Sequence, residues 1–199
     1  MENTINTLEA ISPVDGRYAS KTSKLRAYTS EHALIYYRVL EEVNWFKFLS
    51  AKKGIPELPA LNAQGDEVLD ELIDSFSKKD SEEIKKLEAK TNHDVKAVEY
   101  FLKSRFLKSK DEALIDASEF VHFACTSEDI NNLAYALMLR DARDQIMVPE
   151  ITAVRDTVAD MAIKYAESPM LGRTHGQVAS PTTMGKEMAV FVSRLHIQL

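Results

Sequence analysis

The chain has 199 residues, 45% of them hydrophobic and 28% charged, a balance that suits a globular core and excludes a disordered chain. Its net charge of −6 is spread along the sequence, which argues against a nucleic-acid-binding surface while leaving room for a small anionic ligand held by local basic groups. Cys125 is the only cysteine, so no intrachain disulfide can form, and no run approaches the ~20 apolar residues of a membrane span. Met1–Thr7 lacks the basic and apolar regions of a signal peptide, so the expected location is the cytoplasm.

Glycine and proline number only six each, which predicts few loops and a chain mostly in regular structure. The first thirty residues read as irregular, with turn signals in Ser12–Tyr18. Ser30 is an expected N-cap for a long, well-buried helix to about Ala51, stopped by Lys52, Lys53, Gly54 and Pro56. Val68, Leu69, Leu72, Ile73 and Phe76 make the stripe of the next helix, and Asp80 and Glu83 are placed to cap a short third one. A fourth helix is expected from near Asn92-His93-Asp94, turning Val95, Val98, Phe101 and Leu102 inward.

The charged connection Lys108–Glu112 suggests a boundary, giving an N-terminal helical domain over 1–111 and the start of a long-helix bundle over 112–199. In the second part Ile130, Leu133, Ala134 and Leu137 mark one helix, and Ile151, Val154, Val158, Met161 and Tyr165 mark another starting near Pro149. Ser180-Pro181 has the N-cap and N1 chemistry of a last helix, whose apolar repeat still runs at Leu199; truncation of a longer bundle is the expectation. Repeated three-four spacing with almost no alternation predicts an all-α fold.

Four clusters carry more chemistry than helix connections need. Arg17-Tyr18 follows a turn; arginine can hold phosphate or carboxylate, although taken alone such a pair is more often a surface arginine on a packed turn. Thr91–Asp94 precedes a helix, where Asn92 or Thr91 would cap and Asp94 would suit the dipole, leaving His93 unexplained. Thr126-Ser127-Glu128-Asp129 has capping-box spacing, yet Ser127, Asn131 and Asn132 exceed what a cap requires. His122 just before it reads as structural, and Cys125 as a small hydrophobe with nothing nearby to lower its thiol pKa. Last comes Gly172-Arg-Thr-His-Gly-Gln177, in which His175 can act as acid or base beside Arg173, Thr174 and Gln177. The histidines show no metal-ligand pairing, so no metal is expected.

The runs Ser12–Tyr18, Thr91–Leu102, His122–Asn132 and Arg173–Gln177, continued by Gly185-Lys-Glu187, resemble the fumarase/aspartase superfamily, in particular its bacterial adenylosuccinate lyase branch. Gly176 fits that branch where other branches usually carry Leu, and Val178 departs from it where proline is common. The resemblance implies a cofactor-free β-elimination releasing fumarate, from adenylosuccinate to give AMP and from the succinyl-carboxamide ribotide to give its carboxamide. A base would remove a proton beside a carboxylate and an acid would protonate the departing nitrogen. On that pattern His175 is the general acid, Arg17 and Tyr18 contact the nucleotide, Asn92, His93 and Asp94 hold and orient substrate, Thr126 and Ser127 bind its succinyl carboxylate, and Gln177 also binds substrate. The family's base is a serine on a Gly-Ser-Ser loop that this sequence does not contain, and its members are longer homotetramers whose sites draw on several subunits. The 199 residues alone are therefore expected to be inactive. Another fumarate-releasing lyase of the superfamily, or a non-catalytic helical interaction module, are the alternatives.

Overall fold

The computed structural model describes residues 8–52 and 54–199. Met1–Thr7, read above for a leader, and Lys53, part of the expected helix stop, lie outside the described residues. The structure is mostly helical, with one two-stranded sheet among the described residues. Contacts divide it into two compact units that meet in sequence between Arg140 and Asp141.

The first unit is built around one long helix. After turns over Ser12–Thr22 and the short α1 (Arg26–Thr29), Ser30 caps α2 (Glu31–Ala51), its hydroxyl oxygen accepting the Ala33 N–H at 3.2 Å. Three helices follow: α3 (Ala63–Asp74), α4 (Lys78–Thr91) and α5 (Asp94–Ser109). Ile35, Val39, Val43 and Phe46 of α2 pack with Leu69, Ile84, Val98, Phe101, Leu102 and Phe106 into the main core. Leu114 of α6 (Glu112–Asp116), Ala117 and Val121 belong to the same core. A smaller cluster joins Ala33 and Tyr37 to Ala134 and Met138 of α7 (Ser127–Ala142).

Two helix starts differ from the sequence reading. The residue that caps α4 is Ser77, whose N–H donates to Asp80 at 2.9 Å, so Asp80 stands inside the first turn and the helix runs fourteen residues rather than a short turn. The α5 cap is His93, not Asn92 or Thr91; Asn92 instead closes α4 in a left-handed conformation, φ 50°.

In the second unit the helix expected to start near Pro149 does so, at Val148, with no loop before it. A π-helical turn over Arg143–Met147 leads straight into α8 (Val148–Lys164), the Val148 N–H reaching back to the Arg143 carbonyl. The widened turn suits a proline that lacks an N–H and whose ring would crowd the carbonyl four residues earlier. Ser180-Pro181, expected to start the last helix, lies in a strand instead. β1 (Pro169–Thr174) and β2 (Gln177–Thr183) form an antiparallel hairpin, and α9 (Met184–Gln198) is capped by Thr183, whose hydroxyl oxygen accepts the Lys186 N–H at 3.1 Å. Among the described residues no helix is long and apolar enough to cross a membrane.

Candidate functional site

In the first unit the candidate groups gather at the starts of α5 and α7. The His93 ring accepts the Lys96 N–H on Nδ1 at 3.2 Å, so capping does explain the histidine that sequence left over. It also fixes the tautomer: with Nδ1 accepting, the neutral ring carries its proton on Nε2, and the side chain is half exposed. Structural and ligand-donating roles are thus compatible in one imidazole. Asp94 beside it accepts the Val95 N–H at 2.9 Å and the Arg38 guanidinium at 2.6 Å. Partial burial works against its charge, but those donors win and hold the carboxyl below its ordinary range.

At the start of α7 Thr126 donates both its N–H and its hydroxyl to Asp129, at 2.7 and 3.0 Å. The capping-box spacing is therefore used, while half-buried Ser127 begins the helix. The extra amides have structural partners: Asn132 donates to the Glu128 carbonyl at 2.8 Å, and Asn131 donates to the Glu128 carboxylate at 2.9 Å while accepting from Arg38 Nε at 2.9 Å. The first-turn N–H groups of α5 are taken up internally, Val95 by Asp94, Lys96 by the His93 ring and Ala97 by the His93 carbonyl.

Sequence reasoning missed the residues beneath these segments. Ile35, Arg38, Val39, Glu42, Val43 and Phe46 share one buried stripe of α2, so two of its core positions are charged. Glu42 is fully buried and holds His122 Nδ1 at 2.5 Å, which raises the imidazole pKa against the opposing effect of burial. The second oxygen of Glu42 has no partner among the described residues. His122 is structural as expected, pinning the chain that leads to Thr126. Burial, with Glu42 and Asp129 nearby, pushes the Cys125 thiol up, which disfavours the thiolate. Glu99, also buried, is held ionised against its burial by Lys96 at 2.7 Å and Lys103 at 3.2 Å.

Arg17 and Tyr18 lie in the exposed N-terminal turn, the guanidinium 5.5 Å from the centre of the tyrosine ring. Among the described residues no hydrogen bond or ion pair links them to the α5 and α7 starts.

His175 and Gln177 belong to the second unit, where His175 is at the tip of the hairpin. Thr174 pairs with Gln177, leaving His175 (φ 51°) and Gly176 (φ 74°) as a two-residue turn. Two successive positive φ angles match the right-handed twist of a hairpin, and Gly176 takes the second without a steric penalty. The sequence reading had only a loop here. Arg173, Thr174, His175 and Gln177 are all exposed, and the ladder slips between Leu171 and Arg173. Three of the four candidate segments contain or follow a left-handed non-glycine residue: Asn92 before His93, His122 and Ala124 before Thr126, and His175 itself; Arg17-Tyr18 does not. No cluster of three or more metal-ligating side chains occurs among the described residues.

A family model described as Lyase matches residues 16–198. The chain is 50% identical over 192 residues to the adenylosuccinate lyase of Legionella pneumophila strain Corby, covering 96% of this chain and 42% of that protein. It is 49% identical over 194 residues to the adenylosuccinate lyase of Escherichia coli strain K12, again covering 42% of the relative. Among solved structures, fumarate lyase from Mesorhizobium sp. BNC1 shares the fold at TM-score 0.68 and 24% identity, over 87% of this chain and 37% of that one. The chain thus spans about 42% of the length of the curated relatives it matches. With the family model running from Gly16 to Gln198, the chain belongs to this lyase family, and the curated relatives named above are adenylosuccinate lyases.

Proposed function

We propose that the complete protein carrying this chain is an adenylosuccinate lyase, eliminating fumarate from adenylosuccinate to leave AMP and acting likewise on the succinyl-carboxamide ribotide of purine synthesis. The observation that carries this reading is identity at half the positions over 96% of the chain with a curated adenylosuccinate lyase. In this reading His175 is the general acid that protonates the departing nitrogen, and Gln177 across the turn helps hold substrate. Thr126 and Ser127 bind the succinyl carboxylate, Asn92, His93 and Asp94 orient the substrate through groups such as the His93 Nε2 proton, and Arg17 and Tyr18 take the nucleotide. The developing negative charge is met by prearranged donors, so no cofactor enters.

The proton-abstracting base comes from outside these 199 residues. The protein acts as a cytoplasmic homotetramer in which these segments approach one another around the ligand. A division near residues 111 and 112 separates the N-terminal domain from the helical bundle of the complete protein, whose further helices pack on residues 112–199.

The test is fumarate release from adenylosuccinate by the complete protein. His175→Ala should lower turnover by about 10²–10⁴-fold, the usual worth of one acid–base group, with helical content unchanged by circular dichroism. A fully active His175→Ala enzyme, or complete protein without turnover, would overturn the assignment.

A further inference from the structure

We propose that Arg38 is a positioning residue that sets the separation between the α5 and α7 starts. This rests on the substrate-binding reading of Asn92–Asp94 and Thr126–Ser127 given above. Arg38 projects from the middle of α2 with its side chain 7% exposed, and sends two different nitrogens to two different helices. One terminal nitrogen holds Asp94 at 2.6 Å and Nε holds Asn131 at 2.9 Å. Asn131 passes the connection to Glu128 at 2.9 Å, one turn back toward Ser127. A continuous polar chain, Asp94–Arg38–Asn131–Glu128, therefore joins the two segments through a rigid post.

The post is well chosen mechanically. Ile35, Val39 and Glu42 around Arg38 on α2 are all buried, so the guanidinium has little freedom to drift. The fork is planar and presents separate N–H groups at fixed angles, which a lysine ammonium cannot imitate. A cation in a core stripe is also poor value for stability, since an apolar side chain of similar length often serves as well or better. What it supplies here is geometry: the Asp94 end adjoins His93, and the Glu128 end adjoins Ser127.

The experiment compares wild type, Arg38→Met, Arg38→Lys, Asn131→Ala and the two doubles in the complete protein, measuring KM, kcat and thermal midpoint. Groups that grip substrate in ground and transition states alike affect KM first. Arg38→Met should lower kcat/KM on the order of 10²-fold, as small displacements of binding groups do, mainly through KM and with the protein still folded. Arg38→Lys should recover only part of this. Asn131→Ala alone should show a smaller loss that disappears in the Arg38→Met background, because both remove the same link.

Unchanged KM and kcat in folded Arg38→Met, or losses that simply add, overturn the positioning role. If Arg38→Met does not fold, Arg38→Lys and its double with Asn131→Ala decide on the same additivity criterion. Wild-type complete protein without fumarate release removes the substrate reading and this proposal with it, whereas an active wild type beside an unaffected Arg38→Met removes the proposal alone.

Discussion

Replacing Gly185 with alanine sets two known effects against each other. On propensity alone the change should stabilise α9, by at most about 1 kcal/mol. The surroundings oppose it. A β-carbon at Gly185 would lie 2.4 Å from the Ala162 carbonyl oxygen and 2.5 Å from the Ala166 Cα, at the end of α8. Comfortable contacts need about 3.5–4.0 Å, so the helices would have to part by roughly 1 Å. The obstructing atoms are backbone and cannot rotate away. The same junction carries the Gly185 N–H to Tyr165 carbonyl and Met184 N–H to Ser168 carbonyl hydrogen bonds, both 2.9 Å, which a shift would stretch. Overpacking of this kind costs about 1–3 kcal/mol, and stretched hydrogen bonds keep the estimate at the upper end. The net loss should be about 1–2 kcal/mol, or a fall of roughly 2–8 °C in thermal midpoint for a chain this size. Thermal unfolding followed by circular dichroism reads it directly. A midpoint equal to or above wild type would mean that propensity wins, and that α9 does not approach α8 as closely as described.

Gly176 is constrained for the opposite reason: nothing lies within 4 Å of its added β-carbon, yet φ is 74°. Gly176→Ala should therefore cost about 1–2 kcal/mol from backbone conformation alone, and an unchanged unfolding midpoint would argue against the two-residue turn. The Glu42–His122 pair predicts a pH dependence. Because the folded imidazole pKa is raised by Glu42, its stabilisation is complete below the ordinary histidine range and fades as pH rises through the raised value. Denaturant unfolding across that window should show wild type losing more stability than His122→Gln; parallel profiles would refute the clamp. Ser30→Ala should lose the α2 cap, worth about 1 kcal/mol, and no change in denaturation midpoint would show that the 3.2 Å hydrogen bond to Ala33 contributes nothing.

The long helices were readable because their signals agree. Ser30 caps, the apolar stripe of 31–51 is continuous, and Gly54 and Pro56 follow. The hairpin was not readable because its residues imitate something else. Ser180-Pro181 carries helix-start chemistry, and His175-Gly176 is not one of the usual Asn-Gly or Asp-Gly turn pairs, so the left-handed histidine had no advertisement. The candidate segments themselves stood out as polar surplus around His93, Ser127 and His175. What lay beneath them did not. Arg38 and Glu42, four residues apart, look like an exposed ion-pair face until the period is followed, and only then do they coincide with Ile35, Val39 and Val43. His93 escaped a structural explanation because capping is expected of hydroxyls, amides and carboxylates rather than of a ring nitrogen.

Ala124, left-handed at φ 59°, marks where an engineer would look first. Unlike Asn92, it has no polar side chain to make that conformation easier, so glycine would relieve roughly 1 kcal/mol of backbone strain, part of it lost again to the freer unfolded chain. The same exchange would slacken the short tether between the Glu42-anchored His122 and Thr126. If Thr126 binds the succinyl carboxylate as proposed, a thermally hardier variant and a looser carboxylate grip would then arrive in one substitution. On that proposal, stability screens would reward Ala124→Gly, and screens for fumarate release by the complete protein would discard it.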